Sequence, residues 1–211
     1  MECAAVLLYN ESICEEGESV SSHFFAYMAR MKHIKRWGLR RNTIQENDQE
    51  HSHLVSMFAH AICVLHNTRH GGNADIGLVT MLAVYHEAPE VITGDLATPI
   101  QYFNPGIKKA YKEIEKLASE KLFDYLPEDM KESYRPLLFP DENTIEWKIV
   151  KAADRISAYV KCIEELSFGN NEFESAQEAI RISIYDMNLP AAEDFMKEFT
   201  PSFRLALDAL N

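Results

Sequence analysis

The chain has 211 residues, long enough to bury a real core in one domain. With 21 Lys and Arg against 33 Asp and Glu it carries a formal charge of −12, a field that repels phosphate backbones and excludes extended nucleic-acid binding. A small phosphorylated ligand stays within reach, because a metal and a few Arg or Lys can hold one locally.

Residues 1–20 differ from the rest. Residues 4–8 are apolar, and Glu11, Glu15, Glu16 and Glu18 follow. A signal peptide needs a basic start and a longer apolar core, and no run approaches membrane-spanning length. The segment reads as an N-terminal extension, with 21–211 as the domain. Cys3, Cys14, Cys63 and Cys162 are scattered with no C-x-x-C, which points to reduced thiols in a cytoplasmic protein.

From Ser22 the pattern is helical. Ser21-Ser22 offers a cap before Phe24, Phe25, Met28 and Met31, which recur at helical spacing; this predicts a helix running on through 32–37 to stop at Gly38. Arg40-Arg41-Asn42 is a basic patch. Asn47-Asp48 caps the next helix, with His51 in its first turn and an apolar stripe of Leu54, Val55, Phe58, Ala59, Ile62 and Leu65. Gly71-Gly72-Asn73 breaks the chain before an apolar, buried helix over 74–85, and Pro89 implies a bend just beyond. Asp95 lies in a Gly-Asp loop closed by Thr98-Pro99. A long amphipathic helix then sets Ile107, Tyr111, Ile114, Leu117 and Leu122 against Lys108, Lys112, Glu115 and Lys116. Pro127, Pro136 and Pro140 punctuate a connecting region. Asn143-Thr144 caps a helix carrying Ile145, Ile149, Val150, Ala153, Ile156 and Val160, which Gly169-Asn170-Asn171 ends. Helices over 172–185 and 191–199 follow, and Pro201 starts a last short one. With no alternating strand pattern, the fold class is all-α, a single-domain helical bundle.

The chemistry centres on Tyr85-His86-Glu87-Ala88-Pro89-Glu90, followed by Gly94-Asp95-Leu96. An imidazole beside a carboxylate at the end of an apolar helix suits a borderline-hard divalent cation. His51 and Asp154, each inside its own helical pattern, extend the set. Each also has a plainer reading: His51 as a helix-end histidine, Asp154 as the ion-pair partner of Lys151 or Arg155. The other histidines, His23, His33, His53, His60, His66 and His70, are assigned to the surface or core edges. Trp37 reads equally as core or as a flat wall for a ligand.

The order of His51, His86 with its acidic neighbour, and Asp154 resembles that of the HD-domain phosphohydrolases. Within them the chain is similar to the bacterial 5′-deoxynucleotidase, YfbR-like family. The stretches that carry the likeness are Ser22-His23-Phe24-Phe25-Ala26, Arg36-Trp37, Arg41-Asn42, Glu50-His51-Ser52, Gly71-Gly72-Asn73, Thr93-Gly94-Asp95-Leu96, Lys151-Ala152-Ala153-Asp154 and Gly169-Asn170-Asn171-Glu172-Phe173. The likeness covers roughly Ser21 to the C-terminus and implies an HD-domain helical bundle. It places His51, His86 and Asp154 on metal ligands and Glu87 where the family has Asp. Glu90 falls on the carboxylate that activates water, and Arg36 on a phosphate-orienting residue. Trp37 falls on the sugar pocket, and Asp95, Leu96, Ala97 and Thr98 on the nucleotide-binding loop. It further implies one divalent transition metal such as cobalt or manganese, a nucleoside 5′-monophosphate substrate with 2′-deoxy preferred, and a homodimer.

Elementary chemistry agrees. A divalent cation activates water for attack on phosphorus, Glu90 lies one helical turn from His86 and can take the proton, and Arg36 can grip phosphate oxygens in a planar fork. The departure is Glu87, whose extra methylene moves its carboxylate by about 1.5 Å. Either the turn adapts, with Glu87 re-rotated and a coordination position left open, and the protein is a nucleotidase, or it is a degenerate, nucleotide-binding regulatory relative with little catalysis. Glu90, Arg36, Trp37 and Asp95 favour the first. A helical scaffold with no site would make every match a coincidence.

Overall fold

The computed structural model describes residues 21–97 and 104–210; the extension 1–20, with Cys3 and Cys14, and Thr98 and Pro99 of the nucleotide loop lie outside the described residues. The helices are α1 Phe24–Met28, α2 Asp48–Arg69, α3 Ile76–Tyr85, α4 Glu90–Thr93, α5 Pro105–Asp124, α6 Glu128–Leu138, α7 Ile145–Ser167, α8 Glu174–Tyr185 and α9 Pro190–Glu198. Among the described residues there is no strand, only an isolated antiparallel bridge between Lys35 and Asn47. No helix among them is long and apolar enough to cross a membrane.

Local chemistry starts the long helices. The Asn47 side chain accepts from the Gln49 and Glu50 amides (3.1 and 3.0 Å) and opens α2; the Asp75 carboxylate accepts from Leu78 N–H and opens α3; Thr144 Oγ1 accepts from Trp147 N–H and opens α7. Their apolar faces meet in one core that includes Val55, Ala59, Ile62, Val79, Ala83, Ile149, Ala153 and Ile156, all fully buried. Ile184 of α8 and Phe195 and Met196 of α9 close it. A second cluster joins Phe24, Leu122, Phe123, Leu126 and Leu138 to Ala88. Ala83 belongs to the first core and Ala88 to the second. The turn carrying His86 and Glu87 therefore spans the seam between them.

Three expectations need correction. The first helix does not run to Gly38: α1 stops at Met28, a 3-10 turn spans Met31–His33, and Ile34 is extended. Pairing with the segment before α2 wins here, through Arg36 N–H to the Glu46 carbonyl (3.0 Å) and Asp48 N–H to the Ile34 carbonyl (3.2 Å). The proline-rich region is not merely a connection, since Pro127 caps α6, Glu128 and Asp129 fill its first turn, and Pro136, which gives up one backbone hydrogen bond to the preceding turn, falls near its end, with the helix stopping at Leu138. The apolar stripe of α5 is buried only toward its C-terminal half, at Ala118, Leu122 and Phe123. Ile114 and Leu117 stay 50% and 63% exposed, with no described element packed over them.

Candidate active site

His51 sits in the first turn of α2, 1% exposed; His86 follows the last residue of α3, and Asp154 lies mid-way along α7. The chain leaves the helix at His86, turns through Pro89 and resumes as α4 at Glu90, which is the bend expected from Pro89. Gly94, at φ 73°, stops α4 in a conformation that favours glycine. These elements bring His51, His86, Glu87 and Asp154 together, with one ligand atom of each lying within 4.8 Å of the others. His51 Nε2 is 3.2 Å from Asp154 Oδ1 and 3.6 Å from Glu87 Oε1. His86 Nε2 is 3.4 Å from Glu87 Oε1 and 4.0 Å from Asp154 Oδ1. The ion pair expected of Asp154 is present, with Oδ2 taking the Lys151 ammonium at 2.6 Å, and Oδ1 is left facing the histidines. Arg155 turns away and donates to the Ser183 carbonyl.

The cluster fits a metal ion. His86 Nδ1 lies 2.7 Å from the Ala83 carbonyl oxygen, which can only accept, so Nδ1 carries a proton and Nε2 is the ring atom that faces the cluster. That Nε2 is buried without a hydrogen-bond partner among the described residues, and so is His51 Nε2. Burial, reinforced by the Arg36 charge, pushes His51 down to about 4, so its ring is neutral near pH 7. Burial works to raise both site carboxyls. His86 and Arg36 outweigh it at Glu87 and hold that group near 2; Lys151 and His51 outweigh it at Asp154 and hold it well below the usual carboxylate range. Two imidazole nitrogens thus face two ionised carboxylates, a donor set that a divalent cation satisfies. Two imidazoles and two carboxylates suit a borderline transition metal better than Mg²⁺ or Ca²⁺.

Arg36 borders the cluster. Its Nη1 donates to Glu87 Oε1 (2.9 Å) and lies 3.5 Å from Asp48 Oδ1, while Nε is 3.6 Å from Glu46 Oε2. Burial works to lower the guanidinium pKa, but Glu87, Asp154, Glu90 and Glu46 drive it well above its ordinary value. Trp37 stands beside it at φ 59°, its Nε1 donating to Glu46 Oε2 (3.0 Å) and its ring 5.2 Å from that of Phe173. Glu90 is 7% exposed, and its Oε2 has no hydrogen-bond partner among the described residues. Burial, with Glu87 and Asp48 nearby, pushes its carboxyl up to about 12, so it carries a proton in this state. Asp95 is raised by burial, against the pull of Arg36. Its loop is tied to α5 through Tyr111 O–H to the Gly94 carbonyl (2.7 Å). Leu96 and Ala97 are half-buried.

Sequence reasoning missed Glu46 and Asp48 as members of this pocket. Acids flanking a helix cap normally serve the helix dipole from the surface, so nothing in their spacing marked them. Asp48 is nevertheless completely buried, and burial raises its carboxyl to about 7 even against Arg36.

Comparison with known proteins points the same way. The family model described as 5′-deoxynucleotidase YfbR-like matches residues 23–203. A 5′-deoxynucleotidase of Vibrio vulnificus (strain YJ016) is 46% identical over 191 residues, 90% of this chain and 98% of that protein. The 5′-deoxynucleotidase YfbR of Escherichia coli O127:H6 is 45% identical over 194 residues, 90% of this chain and 96% of that one. Among solved structures, an HD-domain phosphohydrolase from Listeria innocua superposes with a TM-score of 0.76 at 22% identity, covering 86% of this chain and 88% of its own. The HD phosphohydrolase of cyanophage S-2L, solved with dA and one catalytic Zn²⁺ ion, reaches 0.60 at 17% identity over 90% and 99%. These two likenesses speak to the fold.

Proposed function

This chain belongs to the 5′-deoxynucleotidase YfbR-like family, and we propose that it is a metal-dependent phosphomonoesterase that hydrolyses nucleoside 5′-monophosphates, 2′-deoxy preferred, to nucleoside and phosphate. The observation that carries this reading is the meeting of two imidazole nitrogens, without hydrogen-bond partners among the described residues, with two ionised carboxylates directly beside a half-buried arginine.

His51, His86, Glu87 and Asp154 would hold one divalent ion, cobalt, manganese or a similar transition metal. Such an ion supplies Lewis-acid activation of water and neutralises charge building on the phosphate. Arg36 binds the non-bridging oxygens and orients phosphorus; its Glu46, Asp48 and Glu87 neighbours fix the plane of the guanidinium beforehand. Glu90 exchanges the proton of the attacking water, and its buried position makes it a strong base once ionised. Trp37 supplies the sugar wall, and Asp95, Leu96, Ala97 and Thr98 the loop over the nucleoside.

The regulatory alternative is not favoured. Relatives carrying the 5′-deoxynucleotidase name align over nearly their whole length, and Glu87 reaches both histidines despite its extra methylene. The domain spans 21–211, with 1–20 as an extension. The exposed Ile114 and Leu117 on α5 support a homodimer, and the free buried thiols Cys63 and Cys162 support a cytoplasmic setting. The deciding test strips the protein with chelator, then measures phosphate release from deoxy- and ribonucleoside 5′-monophosphates with several divalent metals. Metal-dependent binding without release would transfer support to the regulatory reading.

A further inference from the structure

We propose that Lys161 and Glu165, buried far along α7 from Asp154, are positioning residues that set the placement of Arg36 and Trp37 by clamping the tip of the loop between them and α2. The proposal rests on the nucleotidase reading for its effect on turnover.

Lys161 and Glu165 are 4% and 1% exposed and form an i, i+4 ion pair. Both also bond the backbone of the loop tip. Glu165 accepts from Thr43 N–H (2.8 Å to Oε2) and from Ile44 N–H (3.2 Å to Oε1). Lys161 Nζ donates to the Ile44 carbonyl at 2.5 Å. Asn170 Nδ2 ties Glu165 Oε2 (2.8 Å) to the Arg41 carbonyl (2.7 Å). The clamp thus grips both the donors and an acceptor of the tip backbone, across more than a hundred residues of sequence.

The loop passes this constraint to the site. Two residues after Ile44, the Glu46 carboxylate receives Trp37 Nε1 and approaches Arg36 Nε, and its carbonyl receives Arg36 N–H. Phe173 completes the circuit: Trp37 packs on its ring at 5.2 Å, and Arg40 and Lys161 lie over it at 5.3 and 5.9 Å. Trp37 has left-handed backbone angles, which a bulky residue keeps only when its surroundings over-determine them. A well-packed apolar pair would stabilise α7 about as well as a buried ion pair, but it could not bind the loop's amides and carbonyl. That difference is the reason to assign a positioning role.

The test uses the full chain in a Trp147→Phe background, so that emission reports Trp37 alone. Glu165→Gln and Lys161→Met should lower kcat/KM for a deoxynucleoside 5′-monophosphate by about ten- to hundred-fold, shift Trp37 emission to the red, and leave the metal bound per chain unchanged. Lys161→Arg should restore most of both signals. Should Glu165→Gln fail to fold, Asn170→Ala reads the same signals from a milder, outlying change. Folded variants with unmoved emission overturn the proposal, whether turnover holds or falls. Loss of metal in step with turnover overturns it too. A wild type that releases no phosphate, while emission still shifts in the variants, defeats the nucleotidase reading and leaves the clamp standing.

Discussion

The Nδ1 proton of His86 is committed to the carbonyl oxygen of Ala83, 2.7 Å away. That single bond fixes the ring and aims its free nitrogen at Glu87 and Asp154, as outer partners do for metal-binding histidines.

Removing metal should therefore be reversible and stoichiometric. Chelator-treated protein is expected to take up one divalent transition-metal ion per chain. At about 100 times its Kd such an ion adds about 2.7 kcal/mol of stability, seen as a raised Tm. His51→Ala and His86→Ala should each abolish that increment. Retention of full metal content in either variant would exclude the ring as a ligand.

Glu87 has a double duty, because the same Oε1 meets Arg36 at 2.9 Å and both histidines within 3.6 Å. Glu87→Ala should weaken metal binding and turnover together. Glu87→Asp withdraws the carboxylate by about 1.5 Å from contacts already built around the longer chain, so activity should hold or fall. A rise in phosphate release would show that the site was not adapted to Glu.

Glu90 lies outside the four-group cluster. Glu90→Gln is expected to cut kcat by about 10²–10⁴-fold, the usual scale of acid–base catalysis, with metal content preserved. Parallel titration of metal and measurement of turnover in the one variant checks both halves.

The parts legible in the sequence are those decided locally. The caps Asn47 and Thr144 and the apolar stripes of α2 and α7 fix two helices that face each other, and adjacency in sequence holds His86 beside Glu87. The stretch 34–37 is not the helix its spacing suggests because its conformation is set from outside it: Arg36 N–H bonds to the Glu46 carbonyl, and Thr43 N–H of the same loop bonds to Glu165, 122 residues on. Helical spacing in Phe24, Met28 and Met31 carries no trace of that contact. Asp48 was overlooked for a related reason, since the Arg36 that faces it arrives by that same loop.

Sugar selection should reside in Trp37 and the Asp95 loop. Both abut Arg36, so a phosphate held there carries its sugar toward them, and a ribose hydroxyl meets either a wall or an unpaired desolvated group. The ratio of kcat/KM for matched deoxy and ribo substrates should exceed unity by about ten-fold or more, as loss of one buried partner can produce. Trp37→Ala should narrow it. Equal values in the wild type would remove the steric account.

The acid limb of stability should report Glu165. Burial works to raise this carboxyl, but Lys161, Asn170 and the Thr43 and Ile44 amides outweigh burial and hold it at about 2, below its ordinary 4.5. A group whose folded pKa is depressed binds its proton more readily when unfolded. Its contribution is therefore complete above pH 4.5 and fades as pH falls from there toward 2. The interval corresponds to roughly 3 kcal/mol at about 1.4 kcal/mol per pH unit. Glu165→Gln removes the titrating group: it should be less stable than wild type at pH 7, and the gap should close progressively on acidification. Urea unfolding midpoints at pH 7, 4.5 and 3 measure this directly. A gap that stays constant across the series would mean that Glu165 titrates alike in the folded and unfolded chain, and that its bonds to the loop add nothing to the charged form.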